Sequence, residues 1–200
     1  MLPSEVQGAR LIETRVRPRI GGALQTAGRI LAATGLKPAH LTVLGLLLTV
    51  GGAYLVARSS FVAGGLLVGV GSFIDALDGP LARELGLAGP RGAFLDSVTD
   101  RISETAMFAG VAYAVADEPW LVALAIGSLG GSLITSYLRA KAEGLGADGR
   151  AGLMGRAERV ILYCVGVIAG LVGPMLMAMV VLAWMTVVQR FVSTWRQLEP

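Results

Sequence analysis

The chain has 200 residues, 54% apolar and only 16% charged, with 17 Lys and Arg against 14 Asp and Glu for a formal charge of +3. Soluble domains carry about 25% charged residues, so this composition and a mean hydropathy of +0.67 exclude an ordinary soluble fold and point to an all-α integral membrane protein. The basic residues fall between hydrophobic runs, not in one tract interleaved with aromatics, which excludes nucleic acid as a partner and fits membrane topology.

Glu5, Arg10, Glu13, Arg15, Arg17 and Arg19 interrupt the first twenty residues, where a signal peptide would carry an unbroken apolar core. Residues 1–37 are expected to form a cytoplasmic tail and an amphipathic interfacial helix. Ile20, Leu24, Ala27, Ile30 and Leu31 lie close to a helical stripe, and Arg17, Arg19 and Arg29 would face anionic headgroups. Lys37-Pro38 marks its end.

A single membrane domain over 1–200 is expected, with a six-helix bundle over 38–196. A span needs roughly 20 residues to cross about 30 Å of hydrocarbon. Six apolar runs follow: Leu41 to Ala57, Phe61 to Leu81, Ala93 to Ala116, Leu121 to Leu138, Val160 to Val172 and Met175 to Val192. Arg83 and Arg91, then Arg139, Lys141, Arg150, Arg156 and Arg159, and finally Arg190 and Arg196 share one side with the amino terminus, while the other side has only Arg58. Positive charge marks the cytoplasmic face, so the protein reads as a multi-pass cell-membrane protein with both termini cytoplasmic. Trp120 and Trp195 read as interfacial anchors, His40 as an interfacial polar residue and Cys164 as a small buried side chain. Most of the 28 glycines read as close-packing positions between helices in lipid.

Four aspartates, Asp75, Asp78, Asp96 and Asp100, stand where the second and third runs meet. On a helix, residues three or four apart share a face, so each pair makes one acidic face, and a hairpin brings the two faces together. Converging carboxylates near hydrocarbon repel one another and lose hydration, so positive charge must accompany them. Oxygen ligands without His or Cys suit Mg²⁺, Mn²⁺ or Ca²⁺, and two divalent ions would balance four carboxylates. Ion pairing with Arg83 and Arg101, or a cation transporter, also accounts for the acids. Neither requires the small residues Gly79, Ala82 and Gly92 beside them. Glu104 is expected to pair with Arg101 or Arg83.

Written out, the stretch is D-x2-D-G-x2-A-R-x8-G-x3-D-x3-D, filled by Asp75, Asp78, Gly79, Ala82, Arg83, Gly92, Asp96 and Asp100. It resembles the signature of the CDP-alcohol phosphotransferases, membrane enzymes with six transmembrane helices. The resemblance implies a phospholipid-synthesising transferase that moves a substituted phosphate from a CDP-linked lipid to an alcohol and releases CMP. It implies that Asp75, Asp78, Asp96 and Asp100 hold two Mg²⁺ or Mn²⁺ ions, with Asp96 and Asp100 catalytic and Asp100 the candidate base. Pro38, Thr42, Gly79, Ala82, Arg83 and Gly92 would seat the CDP donor, and the family tends to form homodimers.

The acceptor is read from SYLRAKAE, GRAERV and VVQR, which resemble the phosphatidylinositol-phosphate synthase branch. By that likeness Ser136, Arg139, Lys141, Arg156 and Arg190 line a pocket for the phosphate of inositol 1-phosphate, and the donor is CDP-diacylglycerol or its ether-lipid equivalent. The order of Arg139 before Lys141 departs from the branch. Glycerol 3-phosphate is the rival acceptor. Without the resemblance, the same cations also read as positive-inside signals touching headgroups.

Overall fold

A computed structural model describes the chain at Gly22 and over residues 25–198. The tail over residues 1–19, together with Ile20 and Leu24 of the expected interfacial stripe, lies outside the described residues. The described part of the first helix, α1, covers 25–32 and stops at a turn over 33–35, where Gly35 takes φ +75, the left-handed geometry that closes helices without a Cβ penalty. Lys37 is extended and Pro38 opens α2 (Pro38–Ala57), as the X-Pro restriction and the fixed φ of proline require.

The second apolar run breaks where the sequence predicts a continuous helix through Leu81. α3 (Phe61–Asp75) ends at Asp75, and a tight turn through Ala76 and Leu77 leads into α4 (Asp78–Glu84). The physical cause is Pro80, which lacks an N–H and whose ring would clash with the carbonyl of Ala76 in an unbroken helix. Four more helices complete the fold: α5 (Pro90–Ala114), α6 (Pro119–Gly144), α7 (Arg156–Ile168) and α8 (Val172–Gln197).

All regular structure among the described residues is helical, and four stretches are long and apolar enough to cross a membrane: Pro38–Ala57, Phe61–Glu84, Pro119–Gly144 and Val172–Gln197. Only 33–39% of each is buried within the chain. Leu47, Leu66, Phe73, Ile126, Val181 and Val188 point outward, an apolar surface that suits hydrocarbon. This is a multi-pass membrane protein. The other two expected spans fall short on these criteria for different reasons: Asp96, Asp100, Arg101 and Glu104 make the first half of α5 polar, and α7 has 13 residues, about 20 Å of helix.

Glycine sets how closely the first two long helices approach. A Cβ on Gly45 would meet the carbonyl oxygen of Gly71 at 2.7 Å, and one on Gly52 would meet that of Gly64 at 2.7 Å. This is the small-residue contact expected between helices in lipid. α2 packs on α3 and α5, α3 on α7, and α6 on α8. The core gathers Val68, Phe108, Val111, Tyr163, Leu176 and Met179. The end of α3 and the first turns of α5 and α7 meet through polar side chains.

Candidate active site

The break after Asp75 builds the acidic cluster. Asp75 is the last residue of α3 and Asp78 the first of α4, so the pair straddles a turn and does not share one helix face, contrary to what a spacing of three predicts. Asp96 comes from α5. One carboxylate oxygen from each of Asp75, Asp78 and Asp96 lies within 4.8 Å of the other two. Asp75 is only 4% exposed. Three converging carboxylates with oxygen ligands alone fit a hard divalent cation such as Mg²⁺ or Mn²⁺.

The fourth aspartate joins through a cation. Arg156, at the first position of α7, places Nη1 2.7 Å from Asp75 Oδ2 and 2.8 Å from Asp100 Oδ1. The first contact is a hydrogen bond. The second is an ion pair without hydrogen-bond alignment: Asp100 Oδ1 is buried with no hydrogen-bond partner, as is Arg156 Nε. The predicted set of four carboxylates is thus a trio plus one neighbour across a guanidinium.

Several residues expected to seat the donor flank the same turn. Thr42, buried on α2, donates its hydroxyl to Asp78 Oδ2 at 2.5 Å and lies 3.2 Å from the carbonyl oxygen of Pro38. Gly79, Ala82 and Arg83 follow Asp78 on α4, with Arg83 Nη1 3.5 Å from where a Gly79 Cβ would sit. α1 braces this short helix: Gly28 packs on Pro80, while Ala27, Leu31, Leu41, Leu77 and Leu81 form a small apolar cluster. Gly92 is exposed, and a Cβ there would meet nothing within 4 Å.

A cleft of about 340 Å³ opens beside the aspartates, with Asp96 and Asp100 on one wall and Ser136, Arg139, Arg156 and Arg190 on the others. Lys141, predicted with them, is exposed and does not line it. On α6 the residues two apart point to different sides, which separates Arg139 from Lys141. Arg190 donates from Nε to the carbonyl of Ala151 at 2.8 Å and from Nη1 to that of Thr135 at 2.7 Å, so it ties the segment before α7 to α6 and α8. Arg139 pairs with Glu143 at 2.9 Å on the exposed rim.

Two other residues of the cleft differ from expectation. Glu104 pairs with neither Arg101 nor Arg83 but with Arg159 at 2.6 Å, both side chains 4% exposed, while Arg101 donates to the backbone of Ser97. Arg159 is in the basic set that the sequence marks but not in the predicted pocket. Its spacing of three from Arg156, matched to the spacing of four between Asp100 and Glu104, is the signal in the sequence that points to it. His40 accepts a hydrogen bond from the Lys37 amide at 3.3 Å, which makes it part of the α2 amino-terminal cap.

Residues 36–192 match the CDP-alcohol phosphatidyltransferase family. The chain is 33% identical over 187 residues to an archaetidylinositol phosphate synthase of Pyrococcus horikoshii, covering 93% of this chain and 98% of that protein. Its fold is similar to that of crystal structures of Mycobacterium tuberculosis phosphatidylinositol phosphate synthase. The structure with CDP-DAG bound has a TM-score of 0.79 at 31% identity, covering 86% of this chain and 93% of that one. The structure in complex with manganese and citrate has the same score and identity, covering 86% and 88%. The chain belongs to the CDP-alcohol phosphatidyltransferase family and is a transferase of that class.

Proposed function

We propose that this chain transfers a phosphatidyl group, or its ether-lipid equivalent, from a CDP-linked lipid to inositol 1-phosphate and releases CMP. The observation that carries the reading is the shared wall: Asp96 belongs both to the carboxylate cluster and to the cleft that Asp100, Ser136, Arg139, Arg156 and Arg190 also line. A reaction between a pyrophosphate donor and a phosphorylated acceptor needs an acidic metal seat and a basic anion seat that touch. The names of the similar proteins, an archaetidylinositol and a phosphatidylinositol phosphate synthase, support the acceptor.

Asp75, Asp78, Asp96 and Asp100 would hold two divalent ions, Mg²⁺ or Mn²⁺, which when bound neutralise the charge of the donor pyrophosphate. Thr42 orients Asp78 through its hydroxyl, and the Pro38 carbonyl in turn lies beside Thr42. Gly79, Ala82, Arg83 and Gly92 leave space and one guanidinium for the cytidine and phosphate. Asp100 Oδ1, which pairs with Arg156 but accepts no hydrogen bond, is the atom that would take the proton of the acceptor hydroxyl. Arg139, Arg156 and Arg190 bind the acceptor phosphate with Ser136, since guanidinium forks match phosphate oxygens. Arg190 keeps one nitrogen beyond the two engaged on Ala151 and Thr135. Lys141 adds charge at the rim.

The membrane reading extends likewise. α5 and α7 complete a six-span bundle over residues 38–196, because their charges turn toward each other and away from lipid. Residues 1–37 form the cytoplasmic tail and interfacial helix of the same single domain. The basic connections support a site and both termini on the cytoplasmic side of the cell membrane, and the outward apolar faces support a homodimer. The test offers purified protein in lipid CDP-diacylglycerol and Mg²⁺ with inositol 1-phosphate, inositol, glycerol 3-phosphate or serine, following CMP. CMP release with inositol 1-phosphate is expected; release with glycerol 3-phosphate alone would overturn the acceptor assignment.

A further inference from the structure

Three polar rungs join α5 to α7. Arg156 meets Asp100 at 2.8 Å, Arg159 meets Glu104 at 2.6 Å, and the Tyr163 hydroxyl donates to the Met107 carbonyl at 3.0 Å. The steps are three then four residues along α7, and four then three along α5, so each rung stacks about one helical turn from the last. The main backbone neighbours of α7 are α3 and α8. Contact between α7 and α5 is therefore carried by side chains, these three rungs and the edge-to-face pair of Phe108 and Tyr163.

The middle rung is the most constrained. Glu104 and Arg159 are each 3% exposed. Arg159 uses Nε at 2.7 Å and Nη2 at 2.6 Å on the same carboxylate oxygen, and Nη1 donates to the Met154 carbonyl at 3.4 Å. That last bond ties α7 to the segment leading into it. Arg156, by contrast, opens the helix and has a buried Nε with no partner, so nothing in its own turn fixes where its guanidinium points.

We infer that Glu104 and Arg159 are positioning residues: their buried pair sets the rotation of α7 so that Arg156 is delivered between Asp75 and Asp100. The inference rests on the proposed role of Arg156 at the acceptor phosphate, and its test includes a measurement that does not depend on that role. Arg156 occupies oxygens of Asp75 and Asp100, so a divalent cation entering there competes with it. Loosening the pair should weaken the acceptor and strengthen Mn²⁺ in the absence of substrates.

The experiment compares Arg159→Lys, Arg156→Ala and the double variant in lipid nanodiscs, reading acceptor KM and Mn²⁺ affinity by electron paramagnetic resonance. Misplacing a substrate-orienting group by an ångström costs up to about 100-fold, so Arg159→Lys should raise acceptor KM about tenfold and tighten Mn²⁺ several-fold. In the Arg156→Ala background the same change should add less than about twofold, because coupled residues are non-additive. A structural role alone would multiply with Arg156→Ala or lower the folded fraction without moving KM. Should Arg159→Lys fail to fold, the double variant Glu104→Gln/Arg159→Gln leaves no buried charge unpaired and takes its place. A folded variant with unchanged acceptor KM and Mn²⁺ affinity overturns the inference. Absence of CMP from the wild type with inositol 1-phosphate would instead sink the proposed function, and Mn²⁺ affinity alone would decide the positioning.

Discussion

Arg156 reaches Asp75 across 81 residues of sequence, its Nη1 2.7 Å from Oδ2. This single cation sits between the carboxylate that ends α3 and the one proposed as base on α5. It serves as counter-ion to a cluster whose like charges would otherwise repel. Arg156→Ala should therefore destabilise the metal-free protein more than the metal-loaded one. The expected loss with chelator is about 2 kcal/mol, below the range for fully buried pairs because Arg156 is 27% exposed. Thermal unfolding with EDTA and with Mn²⁺ checks this, and an equal shift in both would show that Arg156 is not the counter-ion.

Asp100→Asn keeps the shape of the side chain and removes its ability to accept a proton. Turnover should fall at least about 100-fold, the usual contribution of a positioned general base, while unfolding stays close to wild type. CMP release from the folded variant at an undiminished rate would remove Asp100 from the proposed role.

The Thr42 hydroxyl is the partner of Asp78 at 2.5 Å, and Thr42→Val replaces it at nearly constant volume. Losing a partner that orients a metal ligand costs about 10–100-fold in metal affinity. Mn²⁺ titration of Thr42→Val should show a loss of about tenfold, with acceptor KM little changed. Wild-type affinity would mean that Asp78 is held by its helix alone.

The aspartates and their neighbours are legible in the sequence because carboxylates gathered at the ends of apolar runs are costly unless a cation joins them. The reason for their convergence is not legible there. A spacing of three reads as one helix face, whereas Pro80, two residues after Asp78, breaks the helix and turns the pair around a corner. The partners of Asp75 and Glu104 are hidden for a different reason. Arg156 and Arg159 lie 81 and 55 residues away, and local periodicity says nothing about which helices become neighbours. Lys141 enters the expected pocket with Arg139 through the resemblance of SYLRAKAE, although residues two apart on a helix face different ways. The count of six spans rests on apolar runs. In α5 the charge that gives the site its chemistry also lowers the hydropathy of its first half.

Arg190 holds two backbone carbonyls, Ala151 and Thr135, so its removal should loosen the segment before α7 as well as the acceptor seat. Arg190→Ala is expected to speed tryptic cleavage after the exposed Arg150 and to raise acceptor KM several-fold more than donor KM. Faster cleavage with unchanged acceptor KM would assign Arg190 to the fold alone.

Gly45 and Gly52 sit two turns apart on α2 in equally tight contacts, but only one is beside the site. A Cβ on Gly45 would meet Gly71 O at 2.7 Å and Asp75 Cβ at 2.8 Å; one on Gly52 would meet Gly64 O at 2.7 Å and Val68 Cγ2 at 2.8 Å. Backbone atoms cannot step aside as a flexible side-chain tip can, so each alanine should force α2 and α3 apart and cost about 1–3 kcal/mol. The functional outcomes should separate. Gly45→Ala moves the end of α3, where Asp75 meets Asp78, Asp96 and Arg156, so Mn²⁺ affinity should fall along with stability. Gly52→Ala acts about 10 Å further along the helix pair and should lose stability while keeping its affinity for Mn²⁺. If both variants weaken Mn²⁺ in proportion to their loss of stability, the close approach at Gly45 matters for packing alone. If only Gly45→Ala does so, the glycine that brings two membrane helices into contact also sets the spacing of the carboxylates at their end.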